Sequence, residues 1–309
     1  MLASLKKKYV APASFYRRVG VVAIPIALQQ ILNQAAGFVD TIMVSSIGGV
    51  AAVAVATQLD TIMANVGFGI NSGASIYAAQ FYGAEDYQSL KKVFGLEIMI
   101  NMINALFFMA VAIFFGSSVL AFYSGDAEVV KVGLSYLSIS CLAYVFSSLT
   151  NAYSFVYRSI QKTHIPMYIG IQVMIVNIIF NYLLIFGKFG FPAMGVAGAA
   201  LATLIATVSG TCTHVIYAWK TKQPFLGTFQ EMFHQRMSFV KPVVKRMFPL
   251  ICNEAFFGFG TSLYVKAFGM LGSRSLEIYK IGNTVANFFF IFAAGLNNAT
   301  SLMLGSVLG

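Results

Sequence analysis

The 309-residue sequence is 58% hydrophobic and only 10% charged, and it carries a formal net charge of +10. A soluble domain has about 25% charged residues, so this composition excludes a chain that faces water over its whole surface. The basic residues lie between apolar stretches and form no basic face interleaved with aromatic residues, which argues against a nucleic-acid partner. The sequence therefore predicts an all-α integral membrane protein, a polytopic helical bundle.

Apolar stretches recur along the chain, and each is long enough to cross a hydrocarbon core of about 30 Å. Because backbone groups in lipid must bond internally, each stretch is predicted to form a helix. The predicted spans cover 19–44, 52–80, 93–116, 129–157, 167–187, 193–218, 247–271 and 277 to the end. The residues before the first span are basic and polar, so we expect no removable signal peptide.

Lysine and arginine are concentrated in alternate connections between the spans, above all before the first span and in 219–246. The opposite connections hold only Lys131, Lys188, Arg274 and Lys280. Short loops rich in positive charge stay on the cytoplasmic side of a membrane. We therefore expect a multi-pass protein of the inner (cytoplasmic) cell membrane with its N-terminus in the cytoplasm.

Reactive residues show no spacing typical of an enzyme. Cys141, Cys212 and Cys252 lie in apolar stretches without paired spacing, which predicts neither a disulfide framework nor a zinc site. The three histidines are scattered, and no HExxH motif or glycine-rich phosphate loop is present. We expect a protein that is not an enzyme, has no cofactor and does not use ATP.

Two segments of the chain repeat. AIPIALQQILNQAAGFVDTIMVSSIGG is echoed by MFPLICNEAFFGFGTSLYVKAFGMLGS, which pairs Pro25 with Pro249 and Gly48 with Gly272 at one offset. Downstream, GINSGASIYAAQFYG is echoed by GLNNATSLMLGSVLG. The matching helices are separated by an even number of spans, so both copies enter the membrane in the same direction and the repeat is parallel.

The repeat predicts the organisation of the chain. We expect a complete six-helix lobe at 1–218, a cytoplasmic linker at 219–246, and the first two helices of a second lobe at 247–309. A second lobe of equal size would need about 140 further residues, so we expect the chain to be truncated relative to its complete form.

Four motifs make the chain resemble the multidrug and toxic compound extrusion (MATE) transporters. They are Pro25 with GFVDTIMVSSIGG, QFYGAED after the second span, NIIFNYLLIFGKFGFPAMGVAGAALAT across the fifth and sixth spans, and PLICNE in the seventh. The resemblance covers nearly the whole chain. It implies two six-helix lobes in a V around a central cavity, and export of amphipathic, often cationic compounds in exchange for H⁺ or Na⁺. Its partners would be small-molecule drugs or metabolites and membrane lipids, and the full-length protein would act as a monomer.

Asp40 is the first candidate site residue, since it lies deep in the first span. A charged carboxylate there costs about 2.5–3.5 kcal/mol in lipid, and protonation or a bound cation removes most of this cost. The resemblance places a functional aspartate in the same GFVD pattern, and the alternative is an aspartate hydrogen-bonded to a helix end near the membrane surface. Pro25 removes a backbone hydrogen bond and predicts a helix bend, either static or coupled to Asp40.

Asn177 and Asn181 are four residues apart and share one helix face. They could offer oxygens to a hard cation, donate hydrogen bonds to Asp40, or simply hold helices together. Thr203 matches a threonine of the cation site in the family. Sodium-linked members often have an aspartate at the second asparagine position, so Asn181 puts sodium selectivity in doubt.

Glu254 is the acidic candidate of the second lobe, in a helix where the family has a cation-linked glutamate. Pairing with Lys266 is disfavoured, because more than three helical turns separate the two residues. Asp60 and Glu97 have no family match, and we interpret them as polar groups inside or beside the lobe.

Two other classes of function stay open from the sequence. One is a flippase for lipid-linked saccharides, which needs a cationic cavity, and Lys266 is the one base recognised within a span. The other is a membrane-embedded enzyme or a structural subunit.

Overall fold

The computed structural model describes residues 13–287, without the side chains of 13–19, 21–23 and 33. Within this range the chain is helical and contains no β-strand, which confirms the predicted all-α class. The helices are α1 (Ala13–Ser45), α2 (Val50–Gly83), α3 (Tyr87–Tyr123), α4 (Ala127–Ser140), α5 (Ala143–Ser159), α6 (His164–Phe186), α7 (Val196–Lys220), α8 (Phe229–Phe233), α9 (Met237–Met270) and α10 (273–287). The second sequence echo, GLNNATSLMLGSVLG, lies outside the described residues.

Four of the described helices, α2, α3, α6 and α7, are each long and apolar enough to cross a membrane. Helices α4 and α5 together make a fifth candidate span, which is bent by 54°. Helices α1 and α9 have 33 and 34 residues, so at about 1.5 Å per residue each exceeds the thickness of the hydrocarbon core. The protein is therefore a multi-pass membrane protein.

The span that the sequence predicted over 129–157 is divided by a bend between α4 and α5. The hydroxyls of Ser138 and Ser140 donate to the carbonyl oxygens of Ser135 and Leu137, at 3.1 and 3.4 Å. The thiol of Cys141 does the same toward the Ser138 carbonyl oxygen. Such local bonds compete with the helix ladder and bend helices, so the serine-rich sequence ends α4 here.

Helices α1 to α7 lie in the predicted first lobe, with α1 packed on α6 and α2 packed on α3 and α5. Helix α9 lies along α2, where Val243 and Met247 enter the same apolar cluster as Ile70 and Ala74. This helix begins at Met237, so its first turns occupy the end of the predicted linker. The lobe and linker boundaries themselves stay predictions.

Arg158 lies in the last turn of α5, with its side chain directed into the protein. Its side chain is only 6% exposed, and Nη2 donates to Gln29 Oε1 at 2.7 Å. Since α5 continues to Ser159, the guanidinium lies inside the lobe rather than in a loop.

The crossing of α2 and α9 depends on glycine, and this gives a stability prediction. A Cβ atom on Gly69 would lie 2.8 Å from Ile251 Cα and 2.9 Å from the Leu250 carbonyl oxygen, so backbone would have to move. We expect Gly69→Ala to destabilise the complete protein by about 1–3 kcal/mol, seen as a lower midpoint in a thermal unfolding assay. Gly260→Ala is the matched control, because nothing lies within 4 Å of its Cβ position. Equal midpoints for the two variants would contradict this packing.

The short helix α8 begins with a capping box and forms an ion pair with α3. Thr228 and Glu231 form a capping box, and Lys91 Nζ lies 3.2 Å from Glu231 Oε1. The backbone N–H of Thr228, followed by Lys91, holds the pKa of Glu231 below its ordinary value of 4.5. A lowered carboxylate pKa stabilises the folded state above the ordinary pKa, and the contribution is lost as pH falls through the folded value.

We therefore expect Glu231→Gln to speed hydrogen exchange of residues 228–233 at pH 7. The ratio of the exchange rates of variant and wild type should approach one as pH falls well below 4.5, because the wild-type carboxyl is then protonated and as neutral as the glutamine amide. Exchange measured by mass spectrometry at both pH values tests this. A ratio that stays the same across the range would show that charge on Glu231 does not hold α8.

Candidate functional site

Asp40 lies in the last turns of α1, half-buried among α2, α4 and α7. It borders a cavity of about 90 Å³. The lining residues are Gly37, Asp40, Thr41, Val44, Val50, Val53, Thr57, Tyr136, Ala199, Thr203 and Lys280. Most of this wall is apolar, so the carboxylate has few groups to replace its hydration. A small cation or a proton in this cavity would relieve the cost of its charge.

A hydrogen-bond chain connects Asp40 to the predicted partners on α6 and α7. Asn181 Nδ2 donates to Asp40 Oδ1 and also to Asn177 Oδ1, the latter at 3.1 Å. Asn177 Nδ2 in turn donates to Thr203 Oγ1 at 3.4 Å. The structure thus brings together Asp40 from α1, Asn177 and Asn181 from α6, and Thr203 from α7.

Asn181 is the central member of this chain. Its side chain is fully buried, and Oδ1 has no hydrogen-bond partner within the described residues. Buried amide oxygens are normally satisfied, so an unpaired one beside a carboxylate is a candidate ligand atom. Asp40 and Thr203, which line the cavity, also carry oxygen atoms, and oxygen ligands suit a hard cation such as Na⁺.

Lys280 on α10 reaches the same cavity from the second lobe, and sequence reasoning missed it. Counted in the sequence as an outer-side charge, it lines the Asp40 cavity, and its ammonium interacts electrostatically with Asp40 and Asp60. It forms a direct ion pair with neither carboxylate within residues 13–287. Lys266 is therefore not the only base within a span, and Lys280 is the one that faces the candidate site.

The remaining candidates lie apart from this cavity. Glu254 on α9 is half-buried, and Asn253 Nδ2 donates to it at 3.4 Å. Lys266 donates instead to the Phe122 carbonyl oxygen, in agreement with the expectation that it does not pair with Glu254. Helix α1 runs through Pro25 as one helix, so a functional bend there stays a prediction.

Comparison with known proteins decides the family. A family model described as MatE matches residues 25–183, just over half of the chain. The chain belongs to the MatE family. This confirms the resemblance to MATE transporters that the four sequence motifs indicated.

Curated relatives of this MatE chain include the "Probable multidrug resistance protein YoeA" of Bacillus subtilis. It is 26% identical over 301 residues, and the match covers 96% of this chain and 65% of YoeA. The "Probable multidrug resistance protein NorM" of Thermotoga maritima is 23% identical over 287 residues, with 92% of this chain and 61% of that protein covered. This chain thus spans less than two thirds of the length of these two relatives.

A solved structure described as an "Outward-facing conformation of a multidrug resistance MATE family transporter of the MOP superfamily" has the same fold. The two chains superpose with a TM-score of 0.80 at 16% identity, over 94% of this chain and 64% of that one. A structure described as "protein A" gives a TM-score of 0.85 at 21% identity. At these identities the likeness extends to the fold alone, which is that of MATE transporters.

Two further acids of this MatE chain lie inside the first lobe. Asp60 on α2 is half-buried and borders a second cavity, formed with α3 and α5. Glu97 on α3 is 1% exposed, and its Oε1 has no hydrogen-bond partner within the described range. The sequence interpretation of both as polar groups of the lobe agrees with their positions.

Proposed function

We propose that the complete protein is a secondary transporter that exports amphipathic, often cationic organic compounds in exchange for H⁺ or Na⁺. Relatives in the MatE family named for multidrug resistance support small organic molecules as its substrates. Export would proceed by alternating access of one site to the two sides of the membrane. The protein would work as a monomer in the inner (cytoplasmic) membrane, with a cytoplasmic N-terminus and no cofactor besides the coupling ion.

The hydrogen-bonded Asp40 carboxylate carries this proposal. It lies in a mostly apolar cavity beside the unpaired Asn181 Oδ1, and Asn177 and Thr203 complete the chain. A proton or cation that binds here discharges the carboxylate and changes the hydrogen bonds of α1, α6 and α7 together. Ion occupancy would therefore alter the relative stability of conformations, as exchange transport requires.

Lys280 supplies the link to the second lobe. In the ion-free site the ammonium of Lys280 partly compensates the negative charge of the Asp40 carboxylate. An ion bound at Asp40 would compete with Lys280 and weaken the attraction between the lobes on this side. A cationic substrate would also be attracted by the carboxylate, so ion and substrate lower each other's affinity, and this coupling is reciprocal.

Glu254 would be a second coupling carboxylate, on the second lobe. Its half-buried position on α9 leaves part of the carboxylate accessible to an ion. We expect Glu254→Gln to impair exchange less than loss of Asp40, since Glu254 lacks the hydrogen-bond chain that surrounds Asp40.

The flippase alternative is not favoured. A cavity that receives a phosphate-linked saccharide must be cationic. The Asp40 cavity is lined by one base, Lys280, and one acid, Asp40, among the described residues. The relatives that match over most of this chain are named for multidrug resistance or as transporters. These names also favour transport over an enzymatic or purely structural role.

Transport by the complete protein in proteoliposomes tests the proposal. We expect efflux of a fluorescent organic cation such as ethidium when a proton or a sodium gradient is imposed, and none without a gradient. The effective gradient identifies the coupling ion. Failure of both gradients to drive efflux, with the protein folded and correctly inserted, would contradict exchange transport.

A further inference from the structure

A second cavity, of about 180 Å³, lies inside the first lobe where α2, α3 and α5 meet. It shares no lining residue with the Asp40 cavity within the described range. Its polar wall is made by one carboxyl, three amides and two hydroxyls, and the argument rests on Asp60, Asn71, Asn101, Ser148 and Asn151.

The helix spacing explains why these groups converge. Asp60, Gly67 and Asn71 follow one another along a single stripe of α2, at intervals of seven and four residues. Ser148 and Asn151 lie within one turn of α5 and face this stripe. Gly67 has no side chain, so it leaves space in the middle of the wall, between the acid and the amides.

Asn101 provides an oxygen that points to a ligand. Its Nδ2 donates to Asn71 Oδ1 at 2.6 Å and to the Glu97 carbonyl oxygen at 2.9 Å, which fixes the orientation of the amide. The side chain is 1% exposed, and Oδ1 has no partner within the part of the chain described. Oδ1 lies 3.5 Å from the position of a Cβ on Gly67, so it faces the space that the glycine leaves.

The chemistry of this wall selects the ligand. Carboxylate, amide and hydroxyl oxygens are the ligands of hard cations. Asp60 supplies one negative charge and has no direct ion-pair partner among residues 13–287. A monovalent ion neutralises this charge, whereas a divalent ion would leave a net positive charge inside the lobe.

We propose that the cavity formed by Asp60, Asn71, Asn101, Ser148 and Asn151 is a second cation site, which binds Na⁺. The carboxylate of Asp60 neutralises the charge of the ion. Asn101 Oδ1, which has no hydrogen-bond partner among the described residues, coordinates it. Asn151 is the exposed member of this set and lies at the edge of the cavity.

This site goes beyond the exchange proposed at Asp40, and equilibrium binding tests it without transport. Binding of radioactive ²²Na⁺ would be measured on the complete, purified protein and on Asp60→Asn, Gly67→Ala and Asp40→Asn variants. Gly67→Ala keeps every ligand, and its methyl meets Asn101 Oδ1 at van der Waals distance, so it occupies the space in front of this oxygen without a clash. Glu128→Gln is the control for loss of an exposed carboxylate.

We expect Asp60→Asn and Gly67→Ala each to lose a Na⁺-binding component that Asp40→Asn and Glu128→Gln retain. The proposal is overturned if the wild type binds no Na⁺, or if all binding disappears in Asp40→Asn. It is also overturned if Gly67→Ala binds Na⁺ as the wild type does, a result that holds even if Asp60→Asn fails to fold. Efflux driven by a proton gradient needs no Na⁺ site, so failure of this proposal and failure of exchange transport are distinguishable.

Discussion

Asp40→Asn is expected to lower gradient-driven efflux by the complete protein on the order of 100-fold. A charge in an apolar membrane environment costs about 2.5–3.5 kcal/mol, and an ion that discharges Asp40 recovers this free energy. Each 1.4 kcal/mol corresponds to about a tenfold change in an equilibrium constant. Ion binding at Asp40 would therefore change the equilibrium between the conformations by about 100-fold. Asparagine is neutral with or without an ion, and this effect disappears.

Affinity for a cationic substrate should fall as well, because the carboxylate that attracts it is lost. The local geometry should be kept, because the hydrogen bond from Asn181 can still be accepted by an amide oxygen at position 40. Initial rates of ethidium efflux and equilibrium binding of ethidium, measured on one preparation, separate the two effects. Glu128→Gln serves as the control, since this acid is exposed at the start of α4. Efflux by Asp40→Asn within about twofold of the control would remove Asp40 from the mechanism.

Lys280→Met is the second variant with a large expected effect. Methionine preserves much of the side-chain length but removes the charge that competes with the coupling ion at Asp40. Coupling between sites is typically 1–3 kcal/mol, so we expect the ion to bind about tenfold more tightly. Turnover should fall, because an ion that is held more tightly is released more slowly.

The measurement is the ion concentration that gives half-maximal efflux, together with the maximal rate. Both should decrease in Lys280→Met. Lys266→Met is the matched control: it also removes a lysine of the second lobe, but Lys266 donates to the Phe122 carbonyl oxygen, away from the Asp40 cavity. An unchanged half-maximal concentration in Lys280→Met, or an equal shift in both variants, would contradict the role given to Lys280.

The sequence predicted the part of the site that depends on local spacing. Asn177 and Asn181 had to share a face of α6, and the family resemblance assigned Asp40 and Thr203 to the same candidate cation site. The structure joins these four residues by hydrogen bonds. Composition alone was enough for the all-α membrane class, because lipid leaves the backbone of such apolar segments few alternatives.

Other features depend on packing that no local pattern reveals. Lys280 lies near the start of an apolar span, where a lysine normally extends to the membrane surface, and only the approach of α10 to α1 and α2 brings it to Asp40. The Asp60 cavity similarly requires three helices and the space left by Gly67. The serines of α4 are a sequence feature that is compatible with the bend at Cys141. They do not predict it, because serine hydroxyls also bond to the backbone in straight helices.

The most direct test of the account is to count the ions released when substrate binds. The complete protein in detergent would be titrated with ethidium while a pH dye and ²²Na⁺ report release of H⁺ and Na⁺. If the Asp40 carboxylate is shared by ion and substrate, each bound ethidium releases H⁺ or Na⁺, and Asp40→Asn releases neither. Saturating ethidium binding without release of either ion from the wild type would contradict the central claim.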